Sequence, residues 1–567
     1  MTADQCNSVF CYIKLQATAP KFFGFSEFLA ALALMVLAWT IADVRYRFRV
    51  RTAPLPLQEI TFGIVGAVGF LSLMTDWWRA EQWRVPEGHL ITPAGWQALL
   101  GGLFLLTFLT WAWFAFIRPP VFSRWNAVRF GRQLIRVILR GSPTEIPEVA
   151  DELAKSAKNL IRYSWTRDER EKRFAAVGSP KIRSRERVRE HAHDLLGMVA
   201  DRKFCKFIVQ SSPVTAFALF EEMALQNRYG VPLGIFARNI TAEAILNRDS
   251  FVYQEVAGYY TGFVGEHKPL TSALYANYEL VDTLKSVFDI DHREQDRWDA
   301  DQWEAFGRLV LMSFDNYAKK WAQSQHSFVI SRAIHGLQNA VAGLTDLGDS
   351  SSGWEPHSSV EKLRVVVDFA LNVVKILDSY QAPGKTAPTR YRDGNNMDMY
   401  DLIARLMFHI IVEASNVKES WFSSWSIQHN SVWSRFFSNS RTDGPAGKIV
   451  AFKLRRLIFE EIAHMAQFPN YKGSKLLGMT LNVMGLKFER GQRDSQKSAA
   501  ALHKATLSWT KKYFARIHDR SPTVMEFGLM DGFKYEGHGP RIVQTGRQIL
   551  DYPPHMTALN LDAGPQP

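Results

Sequence analysis

The sequence predicts a mainly all-α protein: a three-helix transmembrane anchor followed by a large, mostly helical cytoplasmic domain. Three observations lead there. Three apolar runs crowd into the first fifth of the 567 residues. Arginines cluster after the first and third of these runs. Further on, apolar residues return at steps of three, four and seven, the period of helices with one buried face.

The apolar runs cover 22–42, 60–75 and 96–117. A helix rises about 1.5 Å per residue, so roughly 20 residues cross a ~30 Å hydrocarbon slab. The first and third runs reach that length unaided. The second reaches it with Glu59 and Asp76 at headgroup level.

Arg45, Arg47, Arg49 and Arg51 follow the first run; Arg118, Arg124, Arg129, Arg132, Arg136 and Arg140 follow the third. In the loop after the second run, Glu81 and Glu87 offset Arg79 and Arg84. Lys and Arg accumulate on the cytoplasmic side of a membrane. A multi-pass protein of the cell's inner (plasma) membrane is therefore expected. Its tail, 1–20, and its 77–95 loop would lie outside, and everything after Arg118 would lie in the cytoplasm. Trp77, Trp78, Trp83 and Trp96 would mark the outer interface. The charges follow the first run instead of preceding it, unlike a cleavable signal.

Gly63, Gly66 and Gly69 recur on the second run, with Ala67 four residues after Gly63. Small side chains let helices approach closely in lipid, so this span offers a face for a homo-oligomer. Glu27 and Asp76 sit near the outer ends, where both can reach headgroups.

The formal charge is +12. Much of the excess is juxtamembrane arginine, which favours a bilayer with anionic headgroups over nucleic acid as partner. The membrane-surface candidates are Arg45, Arg47, Arg49, Arg51, Arg124, Arg129, Arg132 and Arg136. Cys6 and Cys11 lie in the outside tail and could pair; Cys205 stands alone in the interior portion.

After Pro119 and Pro120 end the third span, 119–145 reads as a basic amphipathic helix on the inner membrane surface. Val121, Trp125, Val128, Leu134 and Leu139 share its apolar face. A helical domain is expected over 146–345, with helices at 147–162 and 185–201. The segment 203–209, KFCKFIV, reads as a strand, and 299–345 as one long helical pattern. A linker covers 346–359. A second helical region covers 360–520, and an extended tail covers 521–567.

The search for chemistry finds weak signals. In HAHD, with Asp194 beside them, the imidazoles of His191 and His193 point apart if helical. Glu460, Glu461 and His464 carry one Glu-x-x-His spacing, where a di-metal bundle needs two. GDSSSG at 348–353 lacks a nucleophile elbow, and DGPAGK at 443–448 lacks P-loop spacing. No cofactor is predicted.

A polar set remains: Arg238, Asn239, Glu243, Glu255, Tyr259, Tyr260, His267 and Lys268. These residues could build a ligand pocket or a buried hydrogen-bond network. The leading expectation is a membrane-tethered sensor, scaffold or effector whose cytoplasmic part binds a ligand or protein partner. An enzyme with an unfamiliar helical site comes second, and an oligomeric channel or membrane-permeabilising effector third.

Overall fold

A computed structural model describes residues 5–6, 11–14, 21–41, 43–87, 92–175, 184–257, 269–320, 327–342, 344, 358–380, 397–417, 424–438, 442–488, 498–530, 532–545 and 556–562. Helices dominate the described residues, as expected of an all-α chain, beside two small antiparallel sheets. Contacts divide the chain into two units, Met1–Glu243 and Ala244–Pro567.

The first unit opens with β1 (Gln5–Cys6) and β2 (Cys11–Lys14). They pair with β3 (Arg84–Glu87) in the order β1-β2-β3, and the register sets Cys6 opposite Cys11. The apolar helices are α1 (Phe25–Ile41), α3 (Leu57–Ala80) and α4 (Pro93–Ala112), with α2 (Val44–Thr52) between the first two. A π-helical turn, Trp113–Ile117, carries α4 onward.

Leu57–Ala80 and Pro93–Ile117 are each long and apolar enough to cross a membrane. The helix α1 has 17 residues, and the axis of α2 stands 108° from it. Phe28 and Met35 of α1 pack with Val65 and Val68 of α3 and Leu100 and Phe104 of α4. Gly69 admits the Phe28 ring, and Gly101 admits the Phe23 ring, whereas Gly63 and Gly66 face open space. Outside this seam the bundle is an apolar belt: Leu34, Phe62, Phe70, Leu106 and Ile117 are all more than 60% exposed.

Polar caps close one end of the bundle. Asp76 accepts the Phe25 N–H at 2.9 Å and pairs with Lys21 at 3.3 Å, while Gln97 accepts the Phe22 N–H at 2.9 Å. Glu27 accepts the Gly24 N–H at 2.9 Å. Both acids thereby satisfy backbone donors at the start of α1, the orphan groups of any helix N-terminus.

The other end leads into α5 (Ala127–Arg140), α6 (Glu145–Tyr163), α7 (Arg167–Ala175), α8 (Ser184–Met198), α9 (Arg202–Ser211), α10 (Pro213–Leu225) and α11 (Gly234–Leu246). The segment 203–209 is helical where a strand was expected. Asp201 accepts the Phe204 N–H and starts the helix; Phe204, Cys205, Ile208 and Val209 then form a buried stripe at helical spacing. Its aromatic and β-branched content suits a strand, but the cap and the 3.6-residue period prevail.

The second unit continues with α12 (Phe251–Ala257), α13 (Pro269–Tyr275), α14 (Tyr278–Leu284), α15 (His292–Gln295), α16 (Ala300–Lys319), α17 (Phe328–Asn339), α18 (Ser358–Ser379) and α19 (Met399–Ser415). The pattern expected as one helix over 299–345 is thus two. Ser327 caps the second, accepting the Ile330 N–H. Further helices are Pro445–His464, Tyr471–Met484, Ala500–Arg520 and Pro522–Gly528. Between α19 and the helix Pro445–His464 runs a π-helix, Ser426–Trp433, with Trp433 buried and Trp425 stacked on His429. The expected extended tail holds the last helix and a sheet of β4 (Phe533–Glu536), β5 (Arg541–Thr545) and β6 (Met556–Asn560). The linker expected at 346–359 lies largely outside the described residues.

A buried charge triad organises this unit. Asp398 and Asp401 form a capping box at the start of α19, and Lys453 reaches both carboxylates, at 3.0 Å from Asp398 and 2.5 Å from Asp401. Lys453 and Asp401 are wholly buried.

Candidate functional site

The α2 sequence, VRYRFRVRT, places arginine at every second position. On a helix this makes two rows, Arg45 with Arg49 and Arg47 with Arg51, each at i, i+4 and pointing in different directions. The helix α6 presents acids at i, i+3 and i+4: Glu148, Asp151 and Glu152. The first row meets them. Arg45 donates to Glu148 at 2.6 Å and to Asp151 at 3.0 Å. Arg49 donates to Glu152 at 2.7 Å and to the Ala115 carbonyl at 2.9 Å. Lys155 donates to the same Glu152 oxygen at 2.7 Å. Burial acts to raise the Glu152 pKa, but bonds from Arg49 and Lys155 prevail and hold it below the usual range.

Other bonds tie the same corner. Asn126 donates to the Thr52 carbonyl at 2.8 Å, and Arg129 donates to the carbonyls of Ala53 and Pro54 at 3.0 and 2.9 Å. These are backbone acceptors that the end of α2 leaves without intrahelical partners. Arg124 lies over the Trp125 ring at 4.8 Å.

The second arginine row has another fate. Arg47 and Arg51 line a cavity of about 330 Å³ with Arg136 and Arg140, a third i, i+4 pair, carried by α5. Its floor includes Phe48, Val137 and Val149, and Glu145 is its one acid. Among the described residues, none of these four guanidinium groups has an ion-pair or hydrogen-bond partner. The neighbouring Arg45, Arg49 and Arg129 are all engaged. Arg47 and Arg51 also border a recess of about 180 Å³ against Trp39, Tyr46, Val50, Gln58 and Trp111, which reaches the apolar helices.

Beside the arginines, α5 carries an apolar ridge. Val128, Ile135 and Leu139 follow at steps of seven and four; Val128 and Leu139 are 53% and 71% exposed. Trp125, just before the helix, is 68% exposed. Leu134, expected on this face, is fully buried and belongs to the core side.

The arginines expected at the membrane surface therefore divide. Arg45, Arg49 and Arg129 turn onto acids or carbonyls; Arg47, Arg51 and Arg136 are exposed along the cavity, and Arg124 and Arg132 are exposed outside it. Sequence reading missed Arg140 as a cavity residue, although its spacing from Arg136 signalled a shared face.

The described members of the polar set of 238–268 fall in both units. Asn239 donates to the Ala200 carbonyl at 2.6 Å, and Glu243 accepts from Arg202 at 2.7 Å, while Arg238 is half-buried in the same unit. Glu255, in the other unit, accepts the N–H groups of Leu270 and Thr271 and so caps α13. Tyr259, Tyr260, His267 and Lys268 lie outside the described residues.

His193 sits between Arg170 at 2.8 Å and the Trp165 carbonyl at 3.2 Å, and burial lowers its pKa. Glu460 pairs with Arg456 and Glu461 with Lys472. Asp378 accepts the Ala446 N–H at the helix start that lies inside DGPAGK, where a P-loop would seat phosphate. Among the described residues no three His, Cys, Asp or Glu side chains converge as metal ligands would. No family model, curated protein or solved structure matches the chain.

Proposed function

We propose that this protein is a membrane-tethered sensor, scaffold or effector, held by three spans, that receives an anionic ligand where its helical domain meets the inner membrane surface. The observation that carries this reading is one corner of the first unit. It carries the apolar ridge of α5 and a cavity lined by four arginines that have no partner among the described residues, in the same unit as the exposed apolar belt of the bundle. An apolar ridge flanked by arginine suits the boundary between acyl chains and headgroups. Like-charged pairs at i, i+4 destabilise a helix by about 0.2–0.5 kcal/mol each, so two such pairs facing one cavity favour an anion that relieves them.

In this reading α1 is the first span and α2 turns away along the inner surface. The N-terminus then lies outside, and the chain after Arg118 lies in the cytoplasm. The acid row of α6 fastens the domain to the anchor through α2, so ligand at the cavity is coupled to a fixed surface. Protease added outside intact cells tests the placement. Fragments beyond residue 118 should survive until the membrane is opened, and the chain should resist alkaline extraction. Digestion of that portion in sealed cells, or release by alkali, would overturn it.

A further inference from the structure

We infer that the four-arginine cavity is a binding site for a phosphomonoester dianion, borne by a lipid headgroup or by a free phosphate compound. The inference deepens the proposed function and rests on it only for the lipid source.

The contrast within the corner is the first argument. Of the eight arginines of α2 and α5, those facing α6 or the end of α2 are all bonded. Among the described residues the four that face the cavity, and Arg132 on open surface, are not. A solvated face scatters its charges, whereas here two i, i+4 pairs from separate helices converge on one volume. The second argument is the lining. Phe48 and Val149, both buried, and the half-buried Val137 give the four exposed arginines an apolar wall, and a charge interaction strengthens as the local dielectric falls.

Chemistry narrows the ligand. Each guanidinium is a planar fork that matches two oxygens of a phosphate, and arginine remains charged at any physiological pH. A phosphomonoester offers two charges and three terminal oxygens, enough to engage several forks at once. A phosphodiester or a single carboxylate offers one charge and leaves most of the forks unmatched. Glu145 at the rim leaves the site with cationic excess, suited to a dianion. The recess behind Arg47 and Arg51, walled by Trp39 and Trp111, gives an acyl chain a path beside the headgroup.

The test uses the full chain. In one arm it is reconstituted into phosphatidylcholine nanodiscs containing phosphatidic acid, or phosphatidylserine at equal total charge. In the other, detergent-solubilised protein is titrated with inorganic pyrophosphate. Arg136→Gln with Arg140→Gln should weaken phosphatidic acid or pyrophosphate binding about tenfold or more, since charged hydrogen bonds carry roughly 1.5–3 kcal/mol each. Lys206→Gln, exposed on α9, should leave it unchanged, and both variants should keep the parent melting temperature.

Binding in the nanodisc arm alone assigns the lipid source, and binding in both arms assigns the shared phosphate chemistry. Equal affinity for phosphatidylserine, no effect of the double variant, or no binding in either arm overturns the inference. Pyrophosphate binding that survives a failed protease-protection test would uphold the site and reject only the membrane placement.

Discussion

Arg49 and Glu152 meet at 2.7 Å in the interior of the first unit, one 7% and the other 3% exposed. A buried pair of this kind roughly balances attraction against lost hydration, so its net stabilisation is small. Its removal by halves is another matter. Glu152→Leu strands Arg49 in the interior and should cost about 3–5 kcal/mol. Adding Arg49→Leu should restore part of that loss. Denaturant unfolding of the detergent-solubilised chain measures both, and a double variant as unstable as the sum of the singles would deny the coupling.

The same logic applies to Lys453. It bridges Asp398 and Asp401 with no exposure of its own, so Lys453→Met leaves two carboxylates facing each other beside an apolar core. Unfolding of that variant should be easier by about 3–5 kcal/mol. Lys453→Arg, which keeps the charge in a larger group, should lose less if the core can yield.

Glu169 sets an acid limit on the first unit. Burial acts to raise its pKa, but the Thr166 N–H and the guanidinium groups of Arg189 and Arg228 hold it at about 2, against an ordinary 4.5. A carboxyl whose folded value is lowered contributes stability above its unfolded pKa and loses it as pH falls towards the folded value. Melting temperature should therefore fall as pH drops from about 4.5 towards 2. Glu169→Gln should flatten part of that fall. An unchanged slope in the variant would remove Glu169 from the account.

Gly478 faces the Gly528 carbonyl so closely that a Cβ would overlap it, and Gly528 is likewise pressed on Ser474. Neither collision involves the tip of a flexible side chain alone, so the two helices would have to separate. Gly478→Ala should destabilise by about 1–3 kcal/mol in spite of alanine's better helix propensity. The open Gly63 provides the comparison: Gly63→Ala should not lower stability.

The ridge of α5 gives a direct test of the lipid contact. A spin label placed at Leu139→Cys should collide with a lipid-soluble relaxant more than with a water-soluble one. A label at Val214→Cys, on exposed α10, should show the reverse. Equal access of the aqueous agent to both would place the ridge in water.

Most of the helices were legible from their apolar spacing, as in α6, α16 and α18, and in α16 a capping box agrees with it. The misread segment at 203–209 shows the weakness of composition: its residue types favour strand, and the deciding Asp201 lies outside the apolar run. The break before Ser327 was missed because the aromatic spacing runs on across it. At the cavity, the three i, i+4 arginine pairs are plain in the sequence. Which pair would meet the acids of α6 was not, because that depends on how α2 turns out of α1. Acidic and basic rows announce that they will pair, but not where the unpaired remainder will gather.

The stapling of α2 to α6 has a mechanical consequence. A soluble domain on a loose tether sweeps a hemisphere and meets its targets by diffusion. Here the two arginines that leave the bundle are already locked into the domain, within a single short helix. Under the proposed membrane placement, tilt of the spans in the bilayer would pass through α2 to α6 and tilt the helices packed on it.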